Sequence, residues 1–217
     1  MLIIDAHEDL AWNMLEFGRD YMRSAAETRA LEAGSSVSDQ NGTTMIGWPD
    51  WVEGKVAVVF ATLFSMPDRR CTGGWEKIRY SSQSQAASQY LGQMDFYHSW
   101  VDANPEKLGL VKTRSDLNRV LGTWNVESTD PVVGLLMLME GADAVERPEY
   151  ISAWYDRGLR MLGPSWTGTV YAGGTREPGP FTNAGLELLD AMAEVNMILD
   201  ISHLSEQGCL QALDHYE

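Results

Sequence analysis

From Val56 to Phe64 the chain reads Val-Ala-Val-Val-Phe-Ala-Thr-Leu-Phe, a run broken by no charge and dense in β-branched side chains. A strand with one wet face alternates polar and apolar residues, whereas this run presents apolar groups on both faces. Burial on both faces is what a parallel sheet covered by helices requires. Val132-Val133-Gly134-Leu135-Leu136-Met137-Leu138 is a second run of the same kind. Leu2-Ile3-Ile4, Leu159-Arg160-Met161-Leu162 and Met197-Ile198-Leu199-Asp200-Ile201 are shorter candidates, making five strands in all.

Amphipathic stretches stand between the runs. Ala87, Tyr90, Leu91, Met94, Tyr97 and Val101 fall at i, i+3, i+4 spacing, which predicts a helix from about Ser84 to Asp102. Residues 115–121 read as a short helix stopped by Gly122, and Tyr150 to Arg157 as another stopped by Gly158. A helix beginning near Thr182-Asn183 would turn Leu186, Leu189, Met192 and Ala193 inward, and Ser205 can cap a last one, with Glu206 in its first turn. Residues 34–50 and 163–182 read as long loops, which in compact domains are usually functional. No repeat or compositional break divides the chain, so residues 1–217 are expected to form a single domain of repeated βα units, an α/β fold.

Charge narrows the partners. Sixteen Lys plus Arg against 31 Asp plus Glu give a net charge of −15, which repels phosphate backbones and anionic lipid and argues against nucleic acid or a membrane surface. No apolar stretch approaches the roughly 18 residues that cross a bilayer. Met1 leads into the first strand without an export signal, and Cys71 and Cys209 form neither a CxxC nor a disulfide framework, so a cytoplasmic location is expected.

The polar residues of interest follow apolar runs. His7-Glu8-Asp9 comes after the first, Glu140-Gly141 after the third and Ser202-His203 after the fifth. In a parallel α/β barrel the C-terminal strand ends open on one face, so these residues would converge. A His-x-Asp pair on extended chain points both side chains the same way, and imidazole with carboxylate suits zinc and similar divalent ions. A carboxylate directly after seven apolar residues, as at Glu140, is costly to bury without a cation or donor. Asp5 and Asp200 read as supporting acceptors. His98 and His215 lie within helices and are left outside the site, and Trp12, Trp48, Trp51, Trp75 and Trp166 either wall a pocket or pack beneath it. The Gly173-Gly174 segment lacks the Gly-Lys-Ser/Thr ending of a phosphate loop.

Taken in order, these segments resemble the membrane (renal-type) dipeptidases, metal-dependent members of the amidohydrolase superfamily. Ile4-Asp5-Ala6-His7-Glu8-Asp9-Leu10-Ala11-Trp12 is similar to the family's opening His-x-Asp signature, and Leu138-Met139-Glu140-Gly141-Ala142 to its bridging glutamate. Gly158-Leu159-Arg160-Met161-Leu162 resembles the next strand, and Leu199-Asp200-Ile201-Ser202-His203 the first second-metal histidine. The resemblance implies a TIM-type (β/α)8 barrel holding two zinc ions and hydrolysing dipeptides through a metal-activated bridging water. His7 and Asp9 would hold the first metal, Glu140 would bridge and serve catalysis, and His203 would hold the second.

Two departures follow. Trp166 stands where the family carries a substrate-contacting histidine, so it is expected to bind substrate and to alter specificity. The family's further metal histidine on the sixth strand and its acid/base aspartate on the eighth have no counterpart in these 217 residues. Only about the first five βα units of a C-terminally incomplete barrel are therefore expected, inactive alone, with unpaired sheet edges that favour aggregation or pairing such as a homodimer. Other amidohydrolase reactions on lactones or amides, and a non-catalytic barrel fragment, stand as alternatives.

Overall fold

In this computed structural model residues 1–125 and 131–216 are described. Ten strands occur among them: β1 (Ile3–Glu8), β2 (Val56–Leu63), β3 (Met66–Pro67), β4 (Arg79–Tyr80), β5 (Leu108–Leu110), β6 (Val133–Glu140), β7 (Leu159–Gly163), β8 (Ala172–Gly174), β9 (Glu177–Phe181) and β10 (Ile198–Leu199). The principal sheet has the order β1-β2-β6-β7-β10, parallel throughout, and contains all five expected strands. β5 pairs with the start of β6, Leu108 opposite Val133 and Leu110 opposite Leu135, before β7 takes over from Met137 onward.

The two long apolar runs behave as their composition requires. Val59, Ala61 and Leu63 on one face of β2 and Val58 and Thr62 on the other are buried, as are Leu135, Leu138 and Met139 of β6, although successive residues point to opposite faces. The edges differ. Ile3 and Ile4 of β1 and Ile198 of β10 are exposed, and among the described residues neither edge strand has a second neighbour.

The helix Gln83–Ala103 covers the sheet, with Tyr90, Met94 and Tyr97 buried as expected. Its buried stripe continues through Ala86, Gln93 and Trp100, while Ala87, Leu91 and Val101 are half-buried. Polar docking explains that shift of one residue. The Gln93 amide both accepts from the Phe64 N–H (3.0 Å) and donates to the Phe64 carbonyl (2.6 Å), and the Tyr97 hydroxyl donates to the Thr62 carbonyl (2.8 Å). Burying these groups is tolerable because their hydrogen bonds are satisfied at the end of β2. The helix Asn183–Glu194 begins where expected, with Thr182 as its cap, and Ser205 caps Glu206–His215 as expected, but the 115–121 helix runs from Arg114 to Gly122, so Gly122 lies inside it. Gly158, at φ +115°, ends the helix Ile151–Asp156 in a conformation that L side chains rarely adopt.

Neither long loop is wholly irregular. The first contains the helix Val37–Asn41 and the start of Trp48–Gly54, and the second an antiparallel hairpin of β8 and β9. The helices Leu10–Phe17 and Ala25–Glu32 add to this and had no clear periodic signal. What organises the early segment is a buried cation. The Arg19 guanidinium donates to Glu32 (2.8 Å), to Asn13 Oδ1 (2.9 Å) and to the Gly42 carbonyl (2.7 Å).

The β8–β9 hairpin is tied to the Asp68–Arg70 turn through Glu177, which pairs with Arg69 (3.0 Å) and Arg70 (2.6 Å). The Arg69 hydrogen bond holds the Glu177 carboxyl down at about 2, against an ordinary 4.5. A depressed carboxylate stabilises the fold above its unfolded pKa and loses that contribution as pH falls through its folded value. Hydrogen exchange in β9 is therefore expected to accelerate as pH falls from about 4.5 towards 2 relative to Glu177→Gln, with a modest amplitude because the pair is partly exposed. Parallel behaviour of the two proteins across that window would refute the tie.

Candidate metal centre

His7 lies in β1, Glu140 ends β6 and His203 follows β10 in a turn. β1 and β10 each stand two strands from β6, on opposite sides, a separation of about 9–10 Å in a flat sheet. Yet both histidines reach the same carboxylate. His7 Nε2 is 3.7 Å from Glu140 Oε2, and His203 Nε2 is 2.7 Å from Glu140 Oε1. The parallel sheet must therefore curl around Glu140, as a half-barrel does.

Asp9 completes one side, its Oδ1 3.6 Å from His7 Nε2, and the ligand atoms of His7, Asp9 and Glu140 all lie within 4.8 Å of one another. Asp9 occupies the N-cap position of Leu10–Phe17, where an aspartate ordinarily accepts from the first-turn N–H groups. Here its side chain makes no cap. Asp9 Oδ1 is buried and accepts no hydrogen bond from any described residue, an orphaned anionic oxygen that a cation would satisfy. The donor set of imidazole and carboxylate fits a divalent ion of the zinc kind.

The charges are mutually dependent. Asp9 beside the ring raises His7 to about 9, outweighing burial. Burial pushes the Glu140 carboxyl up, and the Glu140 hydrogen bond raises His203. Glu140 is also held through its backbone, whose carbonyl accepts from the Tyr90 hydroxyl at 2.6 Å. On the other side of the His203 ring, Nδ1 shares a 3.1 Å hydrogen bond with the Thr175 hydroxyl, which fixes the ring plane as outer partners of metal-binding histidines do.

The supporting aspartates take humbler roles. Asp5 Oδ1 accepts from the His7 N–H (3.3 Å), and Asp200 Oδ1 accepts from the Ser202 N–H (2.9 Å) and hydroxyl. His98 bonds the Arg157 carbonyl (2.9 Å) and His215 bonds Asp190 (2.8 Å), both away from the cluster. A cleft of about 440 Å³ opens over the four residues, walled by Trp12, Phe64, Trp75 and Trp166. Trp166 meets Phe64 edge to face at 5.3 Å. Trp48 and Trp51 belong instead to the main core. Gln40, Asn41, Thr72 and Glu76 also line the cleft, and sequence reasoning missed them because they lie in segments without periodicity.

The model of the membrane dipeptidase family, peptidase family M19, matches residues 1–216. The chain belongs to the membrane dipeptidase family. Dipeptidase verJ of Clonostachys rogersoniana is 24% identical over 159 residues, 70% of this chain and 39% of that protein. Among solved structures, an M19 metallopeptidase described as dipeptidase AC superposes with a TM-score of 0.73 at 21% identity, over all of this chain and 60% of its own. A metallopeptidase from Rhodobacter sphaeroides, liganded with a phosphinate mimic of the dipeptide L-Ala-D-Ala, gives 0.74 at 19%, over all of this chain and 63% of its own. At those identities the superpositions speak for the fold, an α/β half-barrel shared with M19 dipeptidases. The chain spans less than two thirds of the length of these relatives.

Proposed function

We propose that the complete protein is a zinc-dependent dipeptidase in which these residues form the first part of a (β/α)8 barrel. The observation that carries the reading is the position of Glu140, whose two carboxylate oxygens face histidines delivered from opposite sides of the curled sheet, with the orphaned Asp9 oxygen beside one of them. His7, Asp9 and Glu140 would hold one cation, and Glu140 with His203 the other. Such a pair, when bound, polarises a carbonyl and brings a water's pKa into the neutral range. Glu140 would help to hold both cations, since one of its carboxylate oxygens faces His7 and the other His203. Thr175 orients His203, and Tyr90 anchors the backbone of Glu140, so that neither ligand needs to reorganise. The aromatic walls offer apolar surface to a substrate side chain. Free thiols at Cys71 and Cys209 suit a reducing, cytoplasmic setting.

The full-length protein is expected to hydrolyse simple dipeptides, to lose that activity on chelation and to regain it with zinc. Chelation-resistant hydrolysis, or none towards any dipeptide after zinc loading, would overturn the reading. Trp166 is assigned to substrate contact. Trp166→His is expected to lower kcat/KM for dipeptides with bulky apolar side chains on the order of tenfold relative to small ones. Superimposable profiles across a dipeptide panel would remove Trp166 from the pocket.

A further inference from the structure

We propose that Glu76 anchors a subsite for a primary ammonium group within the same cleft. Glu76 is only 3% exposed, yet it lines the cleft. The one hydrogen bond to its carboxylate among the described residues is from the Thr72 N–H to Oε2, at 2.5 Å. The arginines of the adjoining segments pair with other carboxylates: Arg79 with Asp68, and Arg69 and Arg70 with Glu177. A carboxylate this buried, with one neutral donor, is costly unless a cation joins it. It also stands outside the His7, Asp9 and Glu140 group.

The surroundings suit a cation. Trp75 precedes Glu76 and meets Trp12 edge to face at 6.3 Å, so indole surface, whose π faces attract ammonium, lies in the same cleft. The segment is firmly placed. Glu16 Oε2, on the helix that carries Trp12, accepts from the Lys77 and Ile78 N–H groups at 2.9 and 3.0 Å. A side chain at position 73 would stand 2.8 Å from the Trp75 ring, so Gly73 allows the indole to lie against the backbone. Placing the ammonium on a peptide substrate, as its α-amino group or a lysine-type side chain, rests on the dipeptidase reading.

Calorimetric titration of the full-length protein with alaninamide and with lactamide, which replaces the ammonium by a hydroxyl, tests the subsite. Wild type should bind alaninamide about tenfold more tightly, the scale of one charge-assisted hydrogen bond. Glu76→Gln keeps an acceptor for Thr72 and should abolish the preference, while Glu76→Asp should retain part of it. Equal binding of the two amides by wild type, or an undiminished preference in folded Glu76→Gln, overturns the proposal. Butylamine binding as tightly as alaninamide would assign the subsite to a side-chain amine, and weaker binding would assign it to the α-amino group. A protein with the ammonium preference but no dipeptide hydrolysis keeps the subsite and loses the dipeptidase reading. One that cleaves free and N-acetylated dipeptides equally well, with or without Glu76, does the reverse.

Discussion

Glu140→Gln in the full-length protein is expected to weaken retention of divalent metal by more than about a hundredfold, beyond the roughly 10–100-fold that loss of an outer hydrogen-bond partner costs. Dipeptide hydrolysis should fall with it. A single residue has this leverage because both Glu140 oxygens are engaged, one facing His7 at 3.7 Å and the other His203 at 2.7 Å. The fold should survive. Burial already penalises the Glu140 charge, and the Tyr90 bond is to its backbone, so a neutral amide of similar volume removes a charge without opening a cavity. Metal content per folded chain, by mass spectrometry after dialysis, is the readout. Wild-type metal content in the variant would mean that Glu140 is not a ligand.

Arg19→Met should have the largest effect on stability, on the order of 3–5 kcal/mol, because it removes one partner of a largely buried ion pair and takes the Arg19 donors from Glu32 and the Gly42 carbonyl. The consequence reaches the cleft. Asn13 donates to the Asp9 carbonyl (2.9 Å) while its Oδ1 accepts from Asn41 (2.5 Å), so Arg19 stands behind both a candidate metal ligand and the cleft-lining Asn41. Chemical denaturation would show the loss of stability. Arg19→Met with Glu32→Leu, which removes both charges, should recover much of it. A single variant as stable as wild type would show that the cluster is ornamental.

The frame was readable where one physical demand dominated. β2 and β6 announce themselves because burial on both faces forbids polar alternation, and Ser205 because unsatisfied N–H groups at a helix start need an acceptor. β5 could not be read from three residues, Leu-Gly-Leu, whose strand character comes from pairing with β6. The early helices escaped because Arg19, rather than a continuous apolar stripe, holds them in place. Residues at strand ends stood out as chemistry because a His or Glu directly after an apolar run is unusual. Glu76, Asn41 and Thr175 gave no such signal, since only tertiary folding brings their loops to the cleft or to His203.

Strand ends from opposite sides of one curled sheet are proposed to share a metal centre around Glu140. Anomalous X-ray scattering from crystals of the zinc-loaded full-length protein, recorded on either side of the zinc absorption edge, measures this directly. Two peaks are expected, one among His7, Asp9 and Glu140 and one between Glu140 and His203. Zinc-loaded crystals with no anomalous peak in contact with Glu140 would show that Glu140 holds no metal.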